Sequence, residues 1–409
     1  MFLGKKIKIE VWYLLLVVTG YTVFSAIVEP LGLENSMIFS IPYRFLVFLF
    51  SLYIIYRNFS LQRFTSIAVL SILFFWLLYL IKNYLSFKHD FYDADFSNKF
   101  YEIYTRIIVI ALIPSIALLL IDYRKTDLSQ VVKGFFYTLL VMLSLNLIYA
   151  MVMPHGAFLS YIFSIYYISY GHLGTSLVLI SLFYLLFKPQ ENSIYLLSYG
   201  LFLGAVTIII AGARSPFLAF MVVIPYLLIV KKNFKLILIF AVFLILAIIM
   251  IYFLGKSPDY QFEFTNRTYL WLFEGDNSLR TPLFERAIDV FKINPVFGGR
   301  THYEDGMYPH NIVLELLMAT GIVGLVLYIL KFLPVLKNFY LFTSRSNNIF
   351  YVLFFAVFLQ YFVLSSTSFT LYSVPEFLYF SSIIIGISLN YYNEENESND
   401  GRRNPSRNN

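Results

Sequence analysis

Apolar residues run along this chain in long blocks, separated by short polar or Pro/Gly-containing breaks. A bilayer core about 30 Å thick asks for about 20 mostly apolar residues per helix. By that measure, blocks near 11–28, 37–56, 64–81, 106–121, 131–152, 171–187, 194–211, 217–230, 236–254, 311–330, 349–366 and 374–389 predict twelve membrane-spanning helices. The expected class is all-α and polytopic, with one long extracytoplasmic loop that holds an amphipathic helix. Nine spans are expected over 1–254, the loop over 255–310 and three spans over 311–390. Residues 391–409 are polar with no apolar period and are expected to be a disordered tail. The stretch 160–170 reads as a loop or a re-entrant piece. No internal repeat at a fixed period is visible.

Composition sharpens this picture. Of 409 residues 59% are hydrophobic and 13% charged, with no cysteine, and mean hydropathy is +0.73. Soluble globular domains carry about 25% charged residues. A soluble enzyme, a disordered chain and a disulfide-stapled domain are thereby excluded. The net charge of +6, from 30 Lys+Arg against 24 Asp+Glu, bears on membrane orientation rather than on nucleic acid. With Lys5, Lys6 and Lys8 in the cytoplasm, eighteen of the basic residues fall on that side and eleven on the outer side. Six of those eleven sit in the long loop, where the positive-inside rule is weak. Both termini are therefore expected in the cytoplasm. The first apolar block is long enough to span and lacks an A-x-A-like cleavage site, so it reads as a retained span.

Candidate chemistry gathers on the outer side. In the long loop, Leu283, Phe284, Ala287, Ile288, Val290, Phe291 and Ile293 fall largely on one helical face, with Glu285, Arg286, Asp289 and Lys292 on the other. Thr281 is the expected cap and Pro282 suits the first turn. Such a helix lies on the membrane or packs over the mouth of the bundle. Arg214 sits in Ala211-Gly212-Ala213-Arg214-Ser215-Pro216, a tight outer hairpin, with Ser215 the expected cap of the next span and Pro216 its first residue. A helix start with a guanidinium beside it is a candidate anion site, although an arginine snorkelling to lipid headgroups explains it as well. His310, in Tyr308-Pro309-His310-Asn311, is a candidate base at the start of the tenth span.

Other signals are thinner. His89, His155, His172, His302 and His310 all fall on or near the outer side, but none shows metal-ligand spacing, so no metal is expected. Asp93-Ala94-Asp95 has the form of a nucleotide-sugar metal motif and reads as a solvated loop. Arg44, in the outer half of the second span, is a functional candidate because intramembrane charge is costly; snorkelling explains it nearly as well. Walker A, G-x-G-x-x-G and G-x-S-x-G are missing from the sequence.

The stretch from about Gly204 to Tyr328 resembles the O-antigen ligase and O-antigen polymerase superfamily of bacterial polysaccharide assembly. Three patterns carry the resemblance: Ala211-Gly212-Ala213-Arg214-Ser215; Arg280, fifteen residues before Pro295 in Asn294-Pro295-Val296-Phe297-Gly298; and His310-Asn311 followed by Leu314-Glu315-Leu316 and Gly321-Ile322-Val323-Gly324. The chain departs from the family at Gly299-Arg300, where Gly-x-Gly often continues, at Phe284 in place of a common Trp, and at Thr320 in place of an acidic residue.

The resemblance implies metal-independent glycosyl transfer, with no cofactor, in a bacterial inner membrane. The donor would be a glycan on undecaprenyl diphosphate, offered from membrane lipid at the outer face. Arg214 and Arg280 would neutralise the leaving diphosphate, and His310 would activate the acceptor glycan's hydroxyl. Arg286, Arg44, Ser215, Asn311 and Arg300 complete the expected substrate-binding set. A chain-length regulator protein is a further partner that the resemblance admits; nucleic acid is not. Within the superfamily a repeat-unit polymerase for O-antigen or capsule is favoured over a ligase to lipid A core, on the 34 Tyr and 44 Phe of AT-rich codons and the divergent loop. The rival from another class is a flippase for lipid-linked oligosaccharide. It should carry charges deep in several spans, where here only Arg44 clearly qualifies.

Overall fold

A computed structural model of the chain describes residues 8–28, 37–88, 92–93, 96, 98–152, 167–256, 263–275 and 280–403. Among them there is helix and no strand. The helices, in chain order, are α1 (Ile9–Val28), α2 (Met37–Asn58), α3 (Ile67–Lys88), α4 (Phe100–Leu120), α5 (Leu128–Val152), α6 (Tyr167–Phe187), α7 (Ile194–Ala211), α8 (Arg214–Lys231) and α9 (Phe234–Gly255). Then come α10 (Glu263–Phe273), α11 (Arg280–Ile293), α12 (Ile312–Leu330), α13 (Phe350–Thr367) and α14 (Pro375–Arg403). Each apolar block of the sequence falls on one helix. Nine helices among the described residues are long and apolar enough to cross a membrane, and α1 adds a shorter apolar stretch, Ile9–Ser25. The chain is an all-α polytopic membrane protein. Most of the 160–170 stretch lies outside the described residues, and α6 begins at Tyr167. The helix α14 runs to Arg403, through much of the stretch expected as a tail.

Several basic residues make contacts at helix ends. Lys8 Nζ donates to Lys125 O, Lys133 and Lys188 both pair with Glu191, and Arg63 donates to Leu120 O and to Asn390 Oδ1. These basic residues, all assigned to one side by charge bias, make three separate groups of contacts at helix ends. The end that carries the segment between α9 and α12 is called here the loop face.

Burial orders the bundle. Within the apolar window of α6, 78% of residues are buried, against 6% in α9, which leaves α9 as the most apolar and most peripheral span. Close contact between α6 and α7 comes from glycine: a Cβ on Gly174 would stand 2.8 Å from Gly204 O, and one on Gly204 would stand 2.7 Å from Gly174 O. Small residues let membrane helices approach backbone to backbone, where dispersion and weak polar contacts substitute for the hydrophobic effect. Gly171 continues the seam, because a Cβ there would meet Pro216 of α8 at 2.5 Å.

The second seam fixes the loop. The helix α12 is broken at Gly321, whose φ of 63 and ψ of −160 no other residue tolerates well. The turn at 294–299 fills the break. Gly299 N donates to Met318 O, Ile322 N to Pro295 O and Val323 N to Val296 O, at 2.8 to 3.1 Å. Backbone groups freed by the break are thus satisfied by protein, as a membrane helix requires. Beside this joint α11 lays Leu283, Ala287 and Val290 against Leu314, Met318 and Tyr303. Of the two placements expected for this helix, packing over the bundle is the one observed. Ile288 and Ile293 of the expected apolar face remain exposed.

Two of the positive-φ glycines, 275 and 321, make a controlled comparison. A Cβ on Gly321 would meet Gly298 N and Val296 O at 2.5 Å, whereas one on Gly275 would meet nothing within 4 Å. Gly275→Ala should cost about 1 kcal/mol, from φ alone. Gly321→Ala should cost about 2–4 kcal/mol, because backbone must move as well. Thermal unfolding in detergent reads the difference, and equal losses would refute the joint.

Candidate active site at the loop face

The site begins with a reversal of the chain. Gly212 takes the left-handed conformation (φ 62) that ends α7, Ala213 is extended, and α8 starts at Arg214. Reversal is complete two residues earlier than the sequence pattern suggests. Ala213, not Ser215, is therefore the N-cap, and Pro216 is the third helical residue rather than the first. Inside the first turn, the Ser215 side chain turns into the bundle. Its Oγ lies 2.9 Å from His172 Nε2 and accepts from Thr367 Oγ1 at 2.8 Å.

Arg214 and Ser215 line a cavity of about 330 Å³. Its wall holds two more guanidinium groups, Arg267 from α10 and Arg280 from α11. Four helix N-termini meet there: α6 through Tyr167 and Ile168, α8 through Arg214, α11 through Arg280 and Thr281, and α12 through Asn311. Each N-terminus presents the positive end of a helix dipole, about half a charge. Among the described lining residues none is a carboxylate. Three arginines and converging helix starts are chemically suited to a multiply charged anion. The apolar part of the wall is Leu218, Trp271 and Phe284, and three hydroxyls come from 366–368 at the end of α13.

Several contacts hold this wall in shape. Asn311 Oδ1 accepts from Val313 N and Leu314 N, capping α12, while its Nδ2 donates to Ser366 O at 3.1 Å. Arg267 lies over the Tyr167 ring at 5.6 Å and donates to its hydroxyl at 3.4 Å. Arg280 is the first residue of α11, so Thr281 is inside the helix and exposed rather than its cap.

His310 stands beside the cavity, not in its wall. Burial, and then the charge of Arg280, push its pKa down to about 4. Burial, and then Arg214, lower that of Arg280. The three groups expected to act together therefore sit in one electrostatic field. Above its lowered pKa the imidazole is neutral and has a lone pair to accept a proton. Its ring packs 4.3 Å from that of Tyr308. The backbone takes φ 54, a left-handed conformation that costs a residue with a Cβ roughly 1–2 kcal/mol. Strain of this kind persists where the surroundings over-determine a position, as at functional sites.

The remaining expected residues lie elsewhere. Arg286 pairs with Glu304 at 2.9 Å and Asp305 at 3.1 Å and stacks 4.1 Å over Tyr303. Arg300 pairs with Glu304. These two belong to an ion-pair cluster that shapes the loop and are not among the residues lining the cavity. Arg44 is in α2, also away from the lining. His302 is fully buried and bonded to Thr301 and Tyr372, so it has a structural place. Asp93 is exposed, whereas Ala94, Asp95, His89 and His155 lie outside the described residues. No group of three or more His, Cys, Asp or Glu among the described residues is placed to hold a metal.

Sequence reasoning missed Arg267, Trp271 and His172. A signal for the first two was present: Phe264, Arg267 and Trp271 follow i, i+3, i+7 spacing, one face of a helix. That face is the one used, with Phe264 packed 5.8 Å from Phe217 of α8. His172 offered no local signal, because its partner Ser215 is far away in sequence.

Residues 199–329 match the O-antigen ligase family model. Over this segment the chain is similar to the O-antigen ligase family. It covers about a third of the chain, from α7 through most of α12, and includes Arg214, Arg267, Arg280 and His310. No curated protein matches the chain. The family implies a membrane enzyme of polysaccharide assembly, similar to a glycosyltransferase, with a lipid-linked glycan and an acceptor glycan as substrates.

Coupling between Arg280 and His310 has a direct readout. Removing a positive charge favours the protonated imidazole, so Arg280→Ala should raise the His310 pKa from about 4 toward, but not up to, the ordinary value, because burial remains. Titration of ring carbon signals by NMR, with His310→Gln to assign them, checks this. An unchanged pKa would place the two groups outside each other's field.

Proposed function

We propose that this protein is a polysaccharide polymerase, which moves a growing glycan from undecaprenyl diphosphate to the hydroxyl of an acceptor sugar without a metal. The carrying observation is the cavity with Arg214, Arg267 and Arg280 at four helix N-termini, next to a neutral imidazole. In the reaction the acceptor oxygen bonds to the anomeric carbon of the donor. The bond from that carbon to the diphosphate oxygen breaks, and its electron pair leaves with the lipid diphosphate. The acceptor's proton goes to His310. Charge grows on the leaving oxygens as the bond breaks, so preorganised guanidinium and N–H donors favour the transition state over the bound donor. Trp271 and Tyr167 offer rings on which sugar faces stack. In this reading the loop face is extracytoplasmic and both termini are cytoplasmic.

A pKa near 4 makes a weak base, and the proposed mechanism uses this. A diphosphate in the cavity offsets the field of Arg280, so donor binding raises the basicity of His310 when the acceptor hydroxyl needs it. With purified protein and a defined lipid-diphosphate glycan, Arg214→Ala and Arg280→Ala should each lower kcat about 10²–10³-fold. His310→Ala should cost about 10²–10⁴-fold while the protein still inserts normally; tolerance of it would point to a transporter. The neutral base is lost as pH falls through its pKa. The acid limb of kcat/KM, which reports the free enzyme, should therefore lie below that of kcat, which reports the donor complex. Coincident limbs would remove donor-induced basicity from the mechanism.

Polymerase and ligase separate in cells. Deleting the gene should leave surface glycan with single repeat units. Long chains accumulating on the lipid carrier would assign the ligase reaction instead.

A further inference from the structure

His172 takes no part in the mechanism above, yet it is fully buried against the cavity wall. Its Nε2 is 2.9 Å from Ser215 Oγ, and Ser215 lines the cavity. Among the described residues its Nδ1 has no hydrogen-bond partner. Three features of the fold bring the ring to this position. Gly171 lets α6 approach Pro216, Gln360 Nε2 donates to His172 O at 2.7 Å, and Tyr361 stacks on the imidazole with ring centroids 6.0 Å apart.

The unpartnered Nδ1 decides the tautomer. A neutral imidazole carries one N–H. On Nδ1 it would be a buried donor without an acceptor, the rarer and costlier defect. On Nε2 it donates to Ser215 Oγ and leaves only a lone pair unmatched. Ser215 Oγ then accepts from His172 and from Thr367 Oγ1, which donates at 2.8 Å. With both acceptor positions filled, the hydroxyl hydrogen of Ser215 is left to point into the cavity. Thr367 Oγ1 also lies 2.8 Å from Val363 O, and an anion in the cavity favours the arrangement in which Ser215 donates to it.

We infer that His172 is a positioning residue that turns Ser215 into a hydrogen-bond donor for a phosphate oxygen of the leaving diphosphate. This rests on reading the cavity as a diphosphate site.

Inorganic pyrophosphate binding to the full chain in detergent tests it. Ser215→Ala and His172→Leu should each weaken Kd about tenfold, as loss of one charge-assisted hydrogen bond does. In His172→Gln the amide Nε2 replaces the imidazole donor, and Kd should stay within about threefold of wild type. Added to Ser215→Ala, His172→Leu should cost nothing more. If it still does, or if His172→Gln binds as weakly as His172→Leu, the role is structural and the inference fails. Where His172→Leu does not fold, Ser215→Ala decides alone, and wild-type binding by that variant overturns the inference. Arg214→Ala separates the two levels of the reading. Its loss of binding with His172 and Ser215 variants unaffected would reject only the positioning role. Wild-type protein that ignores pyrophosphate, or Arg214→Ala that binds it fully, would reject the diphosphate cavity itself.

Discussion

Two backbone contacts that only glycine permits hold this site together. Gly298 sits against the break of α12 at Gly321, and Gly174 against Gly204 where α6 crosses α7. The first fastens the segment between α9 and α12 to the bundle, so that Arg280 at the start of α11 and His310 ahead of α12 take fixed places. The second brings α6 close to α7 and, through Gly171, to α8, which sets His172 and Ser215 side by side. Neither contact touches the cavity. Both determine where its charges stand. A cationic site needs such support, because like charges repel and their mutual energy grows as water is displaced. Rigid backbone seams supply what side-chain packing around three guanidinium groups does not.

The cavity wall divides its labour. Helix N-termini provide partial charge that has no rotamers to order, and guanidinium groups provide full charge with a planar fork. Arg267 is steadied by Tyr167, Asn311 is spent on capping α12 and on Ser366, and Ser215 is held between His172 and Thr367. Polar groups at the rim are thus oriented by second partners behind them. Preorganisation of this kind lets an electrostatic site act without rearranging as charge develops.

Much of the fold was legible because the bilayer imposes a coarse rule. Every apolar block of span length became a helix, and Lys8 meets Lys125 while Lys133 and Lys188 share Glu191 at helix ends. Arg214 was legible because a hairpin is a local pattern, whereas Arg280 and Asn311 were reached only through the resemblance. Ser215 and Thr281 were misplaced as caps, each by two residues, since Gly212 completes its turn early and α11 begins at Arg280. Arg286 and Arg300, expected as anion ligands, pair instead with Glu304 and Asp305; the partners of Arg286 lie beyond the reach of helical spacing, whereas Glu304 is four residues from Arg300, in a segment that is not helical. The pairing Gly298–Gly321 was present as two separate motifs in the resemblance to the O-antigen ligase superfamily. That they form one joint is a fact of tertiary structure, and no periodicity reports it.

An imidazole near an arginine is a poor base and, for this site, an appropriate one. A histidine basic enough to be protonated in the empty site would add a fourth positive charge and would have no lone pair for the acceptor. Held down to about 4 by burial and Arg280, His310 is neutral above that pH. An anion in the cavity would reduce the same field that suppressed it. In the proposed reaction, readiness of the base would thereby be tied to occupancy of the cavity by electrostatics alone, with no moving part. The left-handed backbone at His310 fits that arrangement: a rigid, strained position keeps the ring within the field of Arg280 and out of the space the diphosphate would fill.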